Sequence, residues 1–114
     1  MSPESILTAK RYAWGQGCEG WHLLRAPGLH VIQERVPPGA GERRHFHGSA
    51  RQFFYVLSGR AVMEVEGQEH LLQMGDCIHV PPGANHQFRN PFGEPVDFLV
   101  VSQPSSHGDR TDLP

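Results

Sequence analysis

Apolar residues in this chain come in short runs, and nearly every run is closed by glycine or proline. Trp21 to Leu24 (WHLL) follows the glycine-rich GQGCEG and reads as a short strand. Leu29 to Val36 (LHVIQERV) alternates imperfectly but is rich enough in β-branched residues for a second strand, which PPGAG ends sharply. Arg43 to His47 (RRHFH) and Arg51 to Leu57 (RQFFYVL) follow, separated by GSA. AVMEVE and QEHLL, joined at Glu66-Gly67, predict a hairpin. Cys77 to Val80 (CIHV), His86 to Asn90 (HQFRN) and Val96 to Val101 (VDFLVV) complete the set. No stretch predicts a helix longer than a turn or two, so a parallel α/β sheet lacks its crossover helices. The expectation is all-β: roughly eight to ten short antiparallel strands in a sandwich, jelly roll or small barrel.

Both parities of FFYVL are apolar, whereas an antiparallel strand with one solvated face alternates more cleanly. Gln52, Phe54 and Val56 share one face, which predicts Phe54 in a pocket and Tyr55 outside. The second apolar face predicts a homodimer, although exposed aromatics at a ligand mouth produce the same pattern.

Composition narrows the classes. A chain of 114 residues is expected to be one domain, residues 1–114, with an N-terminal arm over 1–10 and an irregular tail or lid over 104–114. The 13 glycines and 10 prolines punctuate apolar runs rather than pooling, which argues for tight turns over disorder. Net charge is -2, and Arg43, Arg44 and Arg51 form the one small basic group, so neither nucleic acid nor membrane is an expected partner. That group is either a solvated face or the rim of a pocket. Cys18 and Cys77 have no metal or redox spacing and read as reduced, buried small hydrophobes. A cytoplasmic location is the expectation, because no secretion signal or membrane-spanning run is visible.

Eight histidines are the unusual feature, and three of them fall in two compact clusters. The first cluster, GAGERRHFHGSARQFFYVLSG, places Gly39, His45, His47, Gln52 and Gly59. The second, GDCIHVPPGANHQFRN, places Gly75, Pro81, Gly83, His86 and Asn90. His45 and His47 are two apart, hence on one face of a strand. A third histidine on a later strand closes a nitrogen ligand set if the strands meet. Neutral imidazole suits zinc, iron, nickel, copper and manganese sites.

These two stretches resemble the two motifs of the cupin superfamily. The resemblance implies a cupin-like jelly-roll barrel with a divalent transition metal (Fe, Mn, Zn, Ni or Cu). By it, His45, His47 and His86 take the histidine roles, and Gln52 stands where the family usually has glutamate. Gln52 departs from the pattern: it is a neutral oxygen donor, so the full charge of a divalent ion stays uncompensated by the ligands. Weaker metal retention, a stronger Lewis acid and attraction for an anionic ligand follow. Gln52 either ligates or rotates away.

Other residues are secondary candidates. Phe54, Met63, His79 and His107 are pocket candidates, and His30 is a similar case. Met63 is more simply core filler. Gly59, Gly75, Pro81 and Gly83 are turn formers, and Asn90 bonds a turn. The resemblance implies a metal-dependent enzyme, a dioxygenase, isomerase or lyase among others, acting on a small molecule with paired oxygen donors. The alternative is a non-enzymatic, metal-containing module that binds a small-molecule ligand. A vestigial or purely structural cluster is the third reading.

Overall fold

A computed structural model describes residues 2–114. Eleven strands form in chain order: β1 (Lys10–Trp14), β2 (Cys18–Ala26), β3 (Leu29–Val36), β4 (His45–His47), β5 (Arg51–Ser58), β6 (Arg60–Val65), β7 (Gln68–Gln73), β8 (Cys77–Val80), β9 (His86–Arg89), β10 (Val96–Gln103) and β11 (Arg110–Asp112). Six of them make one antiparallel sheet, in the order β1-β2-β3-β10-β5-β8. The other five make a second, in the order β11-β4-β9-β6-β7. The all-β expectation holds, but the jelly-roll barrel does not. Each strand pairs only within its own sheet, and neither sheet closes on itself. The result is a sandwich of two open sheets.

The runs at Leu29–Val36 and Cys77–Val80 become β3 and β8 with unchanged bounds. β1 (KRYAW) and β11 (RTD) carry little apolar alternation, so they form by pairing with a neighbour rather than by burying a face. β11 lies against β4, with Arg110 opposite His47 and Asp112 opposite His45. Among the described residues no helix is long and apolar enough to cross a membrane.

Register on the six-stranded sheet positions the site. Residues directly opposite one another share a face. One row runs Tyr12, Gly20, Glu34, Phe98 and Val56. The next holds His22, Ile32, Val100 and Phe54, and the third holds His30, Ser102 and Gln52. This face is therefore apolar at Phe98, Val56, Val100, Phe54 and Ile32, and polar at Ser102 and Gln52 on β10 and β5 and at Tyr12, Glu34, His22 and His30 on β1 to β3. Burial along β5 alternates strictly from Arg51 to Val56, with Gln52, Phe54 and Val56 inward and Phe53 and Tyr55 outward. Phe98 stacks across the sandwich on Phe88, with ring centroids 4.0 Å apart, and fully buried Met63 packs in the same core.

Gly20 is where two elements approach too closely for a side chain. A Cβ there would stand 2.1 Å from Cζ of Tyr12. Gly20→Ala is expected to lower unfolding free energy by about 1–3 kcal/mol, as overpacking typically does, in urea denaturation. A loss below about 0.5 kcal/mol, within the range of an ordinary surface substitution, would show that the Tyr12 ring is not held against Gly20.

Candidate metal centre

His45 and His86 are cross-strand partners on β4 and β9, so their rings meet with centroids 4.3 Å apart. His47 follows on the same face of β4, 5.0 Å from His45 and 5.8 Å from His86, centroid to centroid. Each ring offers a nitrogen such that the three lie within 4.8 Å of one another. All three residues are buried.

The loops that aim these rings are fixed by backbone bonds. The Pro81-Pro82-Gly83 turn docks on β4 through the Gly83 N–H, which donates to the His47 carbonyl at 2.7 Å. Gly83 has a φ of 82°, a conformation that L side chains rarely adopt. His86 Nδ1 lies 3.0 Å from the Ala84 carbonyl, and His45 Nδ1 lies 2.6 Å from the Arg43 carbonyl. A carbonyl only accepts, so both Nδ1 atoms carry the proton and both Nε2 atoms present a lone pair. Burial pushes all three imidazoles below their ordinary range, His45 to about 3. They are neutral at pH 7, as metal ligation requires.

The donors fit a metal ion. His86 Nε2, His47 Nδ1 and Gln52 Oε1 are all buried without a hydrogen-bond partner. Each such orphan costs the fold about 1–3 kcal/mol. Gln52 enters from β5 in the opposite sheet, where its Nε2 donates to Ser102 Oγ at 3.1 Å. That bond leaves Oε1 as the free end.

A cavity of about 330 Å³ opens on the cluster, lined by His45, His47, Gln52 and Phe54. His107 and Arg110 also line it. Met63 lies in the core, and His79 is on the exposed face of β8; neither borders the cavity. Residues 104–109, within the segment expected as tail or lid, pass over the cavity as a strap before β11. Asp109 pins it by accepting the N–H groups of Gly48, Ser49 and Ala50 at 3.1, 3.0 and 2.9 Å. The cation in the cavity wall is Arg110. Arg43, Arg44 and Arg51 are not among its lining residues.

Tyr12, Glu34 and Glu42 also line the cavity and, like Arg110, were not singled out from the sequence. Tyr12 donates to Glu34 Oε2 at 2.6 Å. Glu42 Oε1 accepts the Phe88 N–H at 2.9 Å, which leaves Oε2 4.0 Å from His45 Nε2. Burial pushes the Glu34 carboxyl up to about 7, opposed by the Tyr12 bond and the Arg110 charge. Burial, reinforced by Glu34, pushes Glu42 up to about 8. The available signal was Glu34 itself, a charged residue on the same parity of β3 as Ile32 and Val36. It is the flaw in that strand's alternation.

The chain is thus a small two-sheet β-sandwich in which three buried imidazoles converge as a candidate metal site. The sequence pattern of the Cupin domain matches residues 32–102, more than half of the chain, and the chain belongs to the cupin superfamily. It is 32% identical over 78 residues to an uncharacterized protein of Methanocaldococcus jannaschii, covering 68% of this chain and 62% of that protein. It therefore spans less than two thirds of that relative. The oxalate-binding protein of Thermotoga maritima is 26% identical over 107 residues, 89% of this chain and 86% of its own. A solved sugar phosphate isomerase of the cupin superfamily, from Silicibacter pomeroyi, superposes with a TM-score of 0.78 at 28% identity, covering 89% of this chain and 74% of that one.

The Glu34 shift carries a stability signature. This carboxyl ionises near 4.5 when free and at about 7 in the fold. It costs the fold nothing below the lower value, progressively more between the two, and a constant amount above the higher one. Glu34→Gln should therefore gain stability over the parent protein as pH rises from 4.5 to about 7, then hold that advantage. Unfolding midpoints measured across the window check this, and a difference independent of pH would refute it.

Proposed function

We propose that this protein is a metal-dependent enzyme that moves protons on a small, oxygen-chelating anion, an isomerase- or lyase-type reaction. The observation that carries the reading is that Glu34 and Glu42, with carboxyl groups pushed up to about 7 and about 8, line the same cavity as His45 and His47. A general acid or base works best when its pKa lies near the operating pH. Gln52 cannot fill that role, and these two carboxyls can.

His45, His47 and His86 would hold a divalent first-row ion, with Gln52 Oε1 as a fourth, neutral donor. When bound, such an ion supplies Lewis-acid polarisation of the ligand's oxygens. The protein's own groups do the rest. Arg110 offers a fixed positive charge to an anionic ligand. Glu34 holds or releases a proton at Oε1 or Oε2, and Tyr12 keeps that carboxyl in place through its 2.6 Å bond. Glu42 is anchored by the Phe88 N–H and presents Oε2 to the cavity side of His45. Phe54 and the strap limit the entry of water. The names of two relatives, an oxalate-binding protein and a sugar phosphate isomerase, both point to small oxygen-rich anions and support this class of substrate. An oxygenase reaction draws no comparable support from the cavity.

A non-enzymatic binding module is the second reading. It is favoured by the neutral Gln52 and by the name of the oxalate-binding relative, which matches over most of both chains.

Protein purified without a polyhistidine tag is expected to carry about one transition-metal ion per chain, and His86→Ala to reduce this to background. Gln52→Glu should improve retention against a chelator roughly tenfold, about 1.4 kcal/mol, by adding a negative charge beside the ion. Unaltered metal content in His86→Ala would remove the metal from the site.

Proton transfer is read by NMR, as deuterium uptake from solvent into small hydroxy acids, keto acids and sugar phosphates. Glu34→Gln should slow exchange by about 10²–10⁴-fold while leaving metal content unchanged. Saturable binding of the same compounds without exchange or turnover would decide for the binding module.

A further inference from the structure

A second cavity, of about 450 Å³, lies against the turn between β2 and β3. Its polar lining is His22, Arg25, His30, Ser105 and His107, and no carboxylate borders it. His22 Nδ1 and His30 Nε2 are 3.0 Å apart and share one proton. On the far side of the His30 ring, Nδ1 is buried without a partner. When His22 donates the shared proton, neutral His30 must carry its own at Nδ1, and that N–H has no acceptor.

The charges around the pair are of one sign. Lys10 and Arg25 act on His22, and Arg25 and His107 act on His30. Burial, reinforced by the Arg25 charge, holds both imidazoles below their ordinary range. Tyr12 packs on His22 with centroids 4.7 Å apart, but its hydroxyl is committed to Glu34. The cavity thus has imidazoles, a guanidinium, a hydroxyl and no internal counter-ion, and the unpartnered His30 Nδ1 becomes a donor in the tautomer in which His22 gives the shared proton. A bound oxyanion offers an acceptor to the lining N–H and O–H groups and a counter-charge to Arg25. A phosphoryl group, with three outer oxygens and up to two charges, matches donors spread around a cavity better than a planar carboxylate with two. His107 borders this cavity and the one at the histidine cluster alike, so the two are neighbours across the strap.

We propose that the second cavity binds the phosphoryl group of a phosphomonoester, the far end of the same small molecule whose other oxygens face the histidine cluster. Affinity for phosphate stands independently of the metal. Assignment to the far end of one substrate rests on the function proposed above.

Calorimetry and histidine-ring NMR with inorganic phosphate test the first part. Saturable binding is expected, with shifts at His22, His30 and His107. Arg25→Ala, at an exposed position, should weaken it at least about tenfold, and Arg25→Lys should restore part of the loss. His86→Ala should leave phosphate affinity within about twofold, because the site does not need the metal. Non-saturating shifts, full affinity in Arg25→Ala, or stronger binding of succinate than of phosphate would overturn the proposal. For the second part, phosphoglycerate should bind metal-loaded protein about tenfold more tightly than inorganic phosphate, about 1.4 kcal/mol, with the gain lost in His86→Ala. Equal affinities would separate the two cavities into unrelated sites while leaving the phosphate site in place.

Discussion

The site depends on one small motif used twice. A buried histidine gives its Nδ1 proton to the backbone carbonyl two residues earlier, at His45 to Arg43 and again at His86 to Ala84. Each bond selects the tautomer, fixes the ring and turns the Nε2 lone pair away from its own strand. The pairing of β4 with β9 then brings the two rings together. None of these bonds involves an ion: backbone carbonyls and strand pairing alone bring the nitrogens together. The cost is a set of buried atoms with unmet hydrogen bonds.

Charge is distributed in an uncommon way for such a centre. The position that would add a carboxylate to the histidines is occupied by Gln52, held by Ser102. Two carboxyls stand instead in the cavity wall, on β3 and on the segment before β4, where burial keeps Glu34 near half-protonated and Glu42 mostly protonated at neutral pH. Arg110 faces both and limits the shift. The carboxyls thus lie in the cavity wall rather than beside the three imidazoles, and both ionise near neutral pH.

Much of this was legible in the chain, and the illegible part has physical causes. The three histidines announced themselves because β4 has a period of two and the intervening turns are marked by glycine and proline. Glu34, Tyr12 and Arg110 reach the same cavity from β3, β1 and β11, and only cross-strand register brings them together. Short polar strands such as RTD give no periodic signal, because their stability comes from a partner's backbone. The closure expected of the sheets also depended on inter-strand pairing, which no local pattern specifies. His79 and Met63 show the limit of parity: alternation says that two residues share a face, not whether that face meets core, cavity or solvent.

The Asp109 clamp carries a consequence for the order of assembly. One carboxylate gathers three amide protons from a turn some sixty positions earlier in the chain. The strap and β11 therefore join a framework that is already complete in sequence, since His45, His47 and His86 all precede them. During synthesis β4 and β9, with their imidazoles, emerge before the strap and β11. An ion arriving in that interval would meet the cluster without the strap, whereas one arriving later would meet it with Ser106, His107 and Gly108 in the cavity wall. Loading and leakage can thus follow different routes and proceed at different speeds.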